Sequence, residues 1–543
     1  MKISNKQLYT FLLIVAAIKI LFSFFLELGN DESYYYTYAL KPQLNYFDHP
    51  PMVGILIRLT TLNLTFVNDV TLRLGAIICC FIASIFIFKI GKILHSEKAG
   101  WYAVLLYNFS VYTTFIAGFF ILPDSPQMPL WCGALFVMCR IIFLTDNTDN
   151  SKNIWLWVLL GSLIGLATLS KVHALYLWAG FGLFILFYKI KILLNWRLYV
   201  GFIVTLIFLL PILVWNISNK FITYTFHSKR VTNKAFHFDS LLREIMGEAI
   251  YQNPVIFILI MVSVSFSLKK IIKNEPTPNP SKEGNENAET YNAKQETRNQ
   301  YPNPNTQFLL LLSLPMIFLF WYISLSNDIF PHWSGPAYIP LFIIAAIYLA
   351  EKTNTKFPVW IKAGGILVVV ALISITLLAN FAPFNLGSKD KNSYGEYCPT
   401  LDISGWKNFS KSFKTLINND FATKRMNNKA SIIINNWFPA CQLELYTSRE
   451  CGLPIIAIGD LENIHHFAWL NTTRRPLQIG NDAYCIVPSN VPTNVEENFS
   501  KYFTAIEKPD TINQIRSNEI VRFFYIWRLK NCKELPLQNV AIK

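Results

Sequence analysis

Apolar positions in this chain come in long unbroken blocks rather than in alternating or helical stripes, and the blocks organise its first 380 residues. Eleven of them, near 8–28, 73–92, 100–119, 126–144, 154–170, 174–190, 198–216, 251–268, 307–325, 335–350 and 358–379, approach the ~20 residues with which an α-helix crosses a bilayer. They predict about eleven membrane helices, within a range of roughly ten to thirteen. The first block is too long for a cleaved leader and no small-residue cleavage site follows it, so it reads as a retained signal anchor. Between 274 and 306 the chain turns polar and rich in Asn, Glu and Pro, the composition of a disordered linker. From about residue 385 the pattern changes again. Short β-like runs at Ser431–Asn435, Pro454–Ile458, Tyr484–Val487 and Val521–Leu529 alternate with helix-compatible stretches. The fold class expected is therefore a polytopic α-helical membrane domain over 1–380, interrupted by the linker, and a small C-terminal α/β soluble domain over 385–543.

Charge orients the helices. With the N-terminus inside, Lys89, Lys92 and Lys98 fall on the inner side, followed by Lys189, Lys191 and Arg197, then Lys269, Lys270 and Lys273, then Lys352 and Lys356. That alternation obeys the positive-inside rule. It puts the Asp31–Asp48 loop, the turn at Pro123–Asp124 and everything after about residue 380 outside. The outer stretch 217–250 departs from the rule, with Lys220, Lys229, Arg230, Lys234 and Arg243 against three acids. It reads either as a solvated amphipathic helix or as a cationic surface for a phosphate headgroup.

Composition narrows the class. Of 543 residues, 52% are hydrophobic, the mean hydropathy is +0.33 and the formal net charge is +14, which suits membrane loops, anionic lipid and phosphate-bearing substrates. Nucleic acid is a poor partner, because the basic residues are scattered among membrane segments. Cys79, Cys80, Cys132 and Cys139 lie in apolar blocks and behave as small hydrophobes. Cys398, Cys441, Cys451, Cys485 and Cys532 lie in the C-terminal part, where an oxidising compartment would permit up to two disulfides. No zinc-type spacing is present, and the C-terminal part carries neither G-x-G-x-x-G nor a Walker A pattern. An activated donor used at the outer face, away from cytoplasmic nucleotides, would accordingly be borne on lipid.

Four outward features carry chemistry. The first is N-D-E-S-Y-Y-Y-T-Y-A-L-K-P-Q-L-N-Y-F-D-H-P-P-M over 30–52, with Asp31, Glu32, Tyr35, Asp48 and His49. The others are Leu122-Pro-Asp-Ser-Pro126, Ser170-Lys-Val-His-Ala174 and Pro331-His-Trp-Ser-Gly-Pro336. Each has an ordinary reading: Asp124 as a helix cap, Lys171 snorkelling, His332 and Trp333 in an interfacial belt. Ionisable groups at four helix ends on one membrane face instead read together as one site.

These strings, with P-x-L-V-W-N at 211–216 and H-W-x-x-P-A-Y at 332–338, resemble the lipid-dependent glycosyltransferases of GT-C fold. The nearest group is the bacterial enzymes related to protein O-mannosyltransferases and to the aminoarabinose transferase of lipid A. The likeness runs through most of residues 1–350. D-I-S-G-W at 402–406 also has the family's flavour. The resemblance implies an inverting transferase in the bacterial inner membrane, with its site and C-terminal domain periplasmic. It would pass a sugar from a polyprenyl-phosphate carrier to a lipid A, glycan or protein acceptor. It implies Asp31 as general base or acceptor-orienting group, with Glu32 supporting it or binding substrate, and Lys171 on the donor phosphate with His49, Arg230, Lys229 and His173 as further contacts. Asp48, Asp124, Tyr35, His332 and Trp333 become substrate-binding candidates. Asp124 is also the candidate ligand for a divalent cation, although no clear ligand set requires a metal. A transporter or flippase of lipid-linked sugars is the alternative, but no repeated halves are visible and the polar groups gather on one face.

Overall fold

The computed structural model describes residues 3–144, 150–231, 236–273 and 304–536, without side chains at 150 and 229–231. The first part is helical: α1 (Asn5–Ser23), α2 (Asn30–Leu40), α3 (Met52–Thr60), α4 (Asp69–Leu94), α5 (Glu97–Phe109), α6 (Asp124–Phe143), α7 (Ile154–Thr168), α8 (Tyr176–Tyr188), α9 (Trp196–Ser218), α10 (Ile222–Val231), α11 (Phe238–Tyr251) and α12 (Pro254–Ile272). After the linker come α13 (Pro304–Leu311), α14 (Leu314–Ser324), α15 (Tyr338–Lys352) and α16 (Val359–Phe381). Among the described residues, eight helical stretches are long and apolar enough to cross a membrane, and α7 and the 172–188 helix are shorter apolar companions. This is a multi-pass membrane protein.

Small residues let the helices approach. A Cβ on Gly161 of α7 would lie 2.1 Å from the Gly201 carbonyl of α9, so both positions are confined to glycine by packing. One expected span differs in make-up. The block 100–119 is helical only to Phe109; Ser110 ends the helix, and Tyr112–Ile116 forms a π-helical turn. The Thr113 and Thr114 hydroxyls donate to the Tyr107 and Asn108 carbonyls, which pulls the backbone out of α register there. Part of the expected linker, 304–306, belongs to the first turn of α13. Its remainder, 274–303, lies outside the described residues.

The C-terminal part is an α/β unit with a five-stranded sheet in the order β2-β1-β3-β5-β4. The strands are β1 (Ser431–Ile434), β2 (Ile455–Ala457), β3 (Ala483–Pro488), β4 (Phe503–Arg516) and β5 (Glu519–Cys532). β1 runs parallel to β2 and β3, while β3, β5 and β4 are antiparallel. All four predicted β-runs are strands. β4 escaped prediction because it is an exposed edge with Glu507, Lys508, Pro509 and Asp510 in its middle, where the pairing register shifts. The permitted disulfides do not form: all nine cysteines are free. Cys485 faces Trp527 and Cys532 faces Phe503 across the ladder rather than each other.

The two parts share one core. Tyr34, Tyr38, Tyr46 and Phe47 of the segment between α1 and α3 cluster with Trp406, Phe413, Ile432, Ile434 and Trp469 of the α/β unit. Burying these large apolar and aromatic surfaces together removes them from water, the main favourable contribution to such a contact.

Candidate active site

The segment after α1 folds into α2 because Gly29 turns the chain and the Glu32 side chain reaches back to accept the Gly29 N–H at 2.9 Å. Glu32 is pinned further. Arg73, inside α4, donates Nε and an Nη to its two oxygens at 2.8 and 2.6 Å, and the Ile121 N–H adds a third contact at 3.1 Å. Both residues are buried. Glu32 therefore anchors the helix rather than facing solvent. Its neighbour Asp31 is the opposite case: exposed and, among the described residues, without a hydrogen-bond partner. Its carboxylate is nonetheless crowded by protein atoms. Desolvation pushes it above the usual carboxylate range; His49 and Lys171 oppose this, and Asp48 and Glu32 add to it.

Asp48 sits at the centre of the tyrosines. Tyr34 Oη donates to Oδ1 at 2.8 Å, Tyr38 Oη joins it there, and His49 Nδ1 lies 3.1 Å from Oδ2. Burial alone would raise this acid, but the His49 bond and charge, His465 and the Tyr38 bond hold it well below the usual carboxylate range. Tyr35 Oη lies 3.3 Å from His49 Nδ1, which ties this tyrosine to the histidine. His227 of α10 places Nε2 2.9 Å from the Asp48 carbonyl.

The second and third motifs meet directly. Lys171 Nζ donates to both oxygens of Asp124 at 3.0 and 2.8 Å, and Tyr112 Oη donates to Oδ1 at 2.8 Å. All three are buried. Asp124 thus has its oxygens committed to Lys171 and Tyr112. Among the described residues no group of three or more His, Cys, Asp and Glu is arranged around a cation. The residues present do not fit a metal at Asp124. Gln127 bridges this corner, donating to the Lys171 carbonyl and meeting His173 Nε2 at 3.1 Å.

The fourth motif is anchored from below. Glu248 of α11, fully buried, accepts from Trp321 Nε1, Ser334 Oγ and Tyr338 Oη. That fixes the 332–338 turn over Tyr112, whose ring lies against Gly335. His332 feels Lys171, Asp124 and His49, and burial, with the cationic neighbours, lowers its pKa to about 4. Trp333 turns away and packs on Phe320 and Phe330. The structure therefore gathers Asp31, Asp48, His49, Tyr35, Asp124, Lys171, His173 and His332 in one electrostatic neighbourhood. Lys229 and Arg230 lie outside the described side chains.

Several members escaped the sequence reading. Arg73 had a signal, since a guanidinium within an apolar block marks a buried partner. Glu248 and Tyr112 had none. Least foreseeable were His465 and His466 of the α/β unit. The His465 ring stacks on Trp437 at 5.4 Å and meets Tyr34 and Phe47, while His466 packs edge-on to Tyr38 and Tyr46.

Residues 48–215 match the family described as dolichyl-phosphate-mannose-protein mannosyltransferase. In three dimensions the chain is similar to ArnT from Cupriavidus metallidurans bound to undecaprenyl phosphate. The TM-score is 0.58 at 13% identity, with 99% of each chain covered. The apo state of that protein matches with a TM-score of 0.54 at 12% identity, covering 95% of this chain and 97% of that one. The chain has the GT-C fold. No curated protein sequence matches it. The GT-C likeness to ArnT extends over the α/β unit as well as the membrane helices, whereas the mannosyltransferase match begins at Asp48 and ends within α9.

Proposed function

We propose that this protein is a glycosyltransferase that takes a sugar from a polyprenyl-phosphate carrier and delivers it, with inversion, to an acceptor hydroxyl at the outer membrane face. The observation that carries the reading is Asp31: an accessible carboxylate, without a hydrogen-bond partner among the described residues, beside a buried cationic corner. The mannosyltransferase match and the ArnT-like fold support the reading at the level of class.

The chemistry needs three things. The acceptor oxygen attacks the anomeric carbon, the carbon–oxygen bond to the phosphate breaks, and its electron pair leaves on the phosphate. Asp31 takes the acceptor's proton, and a carboxyl raised above its usual range is better matched to that task than an ordinary one. Lys171 and His49 present cation or N–H to the departing phosphate, with Asp124 holding Lys171 in place and His173 Nε2 engaged by Gln127 Oε1. One displacement inverts the anomeric centre and needs no second carboxylate as nucleophile, in contrast to a retaining mechanism. The bacterial inner membrane, with the α/β unit in the periplasm, is the location this chemistry fits.

The test is transfer from radiolabelled polyprenyl-phosphate sugars to lipid and protein acceptors by purified protein in lipid. Asp31→Asn should lower kcat by roughly 10²–10⁴-fold, the usual worth of a general base. Wild-type activity in that variant would remove Asp31 from the mechanism. Movement of lipid-linked sugar across the bilayer without transfer would replace the transferase by a transporter.

A further inference from the structure

The segment that carries Asp31 is held largely by residues more than 350 positions away in sequence. Glu27 caps the α/β unit's first long helix, α17 (Trp406–Ala422), by accepting the Trp406 and Lys407 N–H groups at 2.7 and 3.1 Å. Leu28 N–H donates to Tyr446 Oη at 2.7 Å, and Cys441 Sγ approaches the Asn30 carbonyl. At the centre is Gln442, fully buried at the end of the short helix 437–442. Its Nε2 donates to the Leu28 carbonyl at 2.8 Å and to the Asp402 carbonyl at 3.0 Å, with Asn30 Oδ1 at 3.4 Å. Its Oε1 accepts from Ser33 Oγ at 3.0 Å. The amide thus grips the backbone just before Asp31 and a side chain just after it, and it ties both to the D-I-S-G-W string.

From this we infer that Gln442 is a positioning residue for the transfer reaction, and that the α/β unit sets the orientation of Asp31. The inference rests on the assignment of Asp31 as base. A buried amide with both ends satisfied fixes its partners in one arrangement, and losing it leaves the Leu28 and Asp402 carbonyls without that donor. Nothing in this grip touches Lys171 or Asp124, so donor binding should be indifferent to it.

Gln442→Met keeps the volume and removes both hydrogen-bonding ends. In the radiolabel assay kcat should fall by about 30–100-fold, since a ~1 Å misplacement of a reacting group costs up to ~10²-fold, while the donor KM stays within about twofold. Equal loss in kcat and donor affinity, or a folded variant with wild-type kcat, would overturn the inference. Should Gln442→Met fail to fold, Ser33→Ala deletes one bond at little steric cost. It should lower kcat by about fivefold, the fold-change that corresponds to losing one hydrogen bond of about 1 kcal/mol, and an unchanged kcat there would overturn the inference equally. Asp31→Asn run alongside separates the two levels. Its retention of activity defeats the base assignment, whereas its inactivity beside a fully active Gln442→Met defeats the positioning role alone.

Discussion

Arg73→Met is the sharpest test of how the segment bearing α2 is held. The guanidinium is fully buried, pairs with Glu32, donates to the Leu26 and Glu27 carbonyls at 2.6 and 2.8 Å, and lies 4.7 Å from the Phe119 ring centroid. Removing one partner of a buried pair leaves an uncompensated charge, which costs about 3–5 kcal/mol. Glu32 keeps the N–H groups of Gly29 and Ile121, so the expected loss sits near the lower end, about 3 kcal/mol. The double variant Arg73→Met/Glu32→Gln no longer buries a charge and should recover at least ~1 kcal/mol of that loss. Denaturant titration of the purified proteins in one detergent reads both. A single variant within ~1 kcal/mol of wild type, or a double variant no more stable than the single, would sink the account of Glu32 as a buried, charge-paired anchor.

Two further outcomes concern pH. His332 has a folded pKa of about 4, below its unfolded value of ~6.5, so the unfolded chain binds more protons between these values. Its contribution to stability is present above pH ~6.5 and is lost as pH falls toward 4; His332→Gln should flatten that part of the stability–pH curve, and an unchanged slope would refute the burial argument. Asp402 works in the other direction. Burial raises its pKa to about 6 despite Arg522 and the Asn30 bond, so the folded state binds more protons and loses stability as pH rises from ~4 through 6. Asp402→Asn should therefore gain stability over wild type at pH 7.5 and show no gain at pH 4, as followed by thermal unfolding at each pH.

Much of the fold was legible because its determinants are local. Uninterrupted apolar blocks give membrane helices, and β1, β2, β3 and β5 announce themselves by runs of Ile, Val, Tyr and Phe. β4 was hidden because an edge strand exposed along much of its length needs no apolar alternation. The break at Ser110 was hidden because two threonine hydroxyls, not the apolar pattern, decide it. In the site, Asp31, Asp48, Asp124 and Lys171 stood out as charges at helix ends, and the structure draws them together. Their partners did not stand out. Tyr112, Glu248 and Gln442 are common residue types in unremarkable sequence surroundings, and their roles come entirely from tertiary contacts.

The bond between Ser33 and Gln442 joins positions 409 residues apart. A ribosome adding ~5–20 residues per second makes the second partner roughly 20–80 s after the first. Throughout that interval the membrane helices can insert while the loop that bears Asp31 lacks its clamp. Completion of this arrangement is thereby tied to synthesis of the final segment, so a chain interrupted before Gln442 would reach the bilayer with the Asp31 segment unclamped.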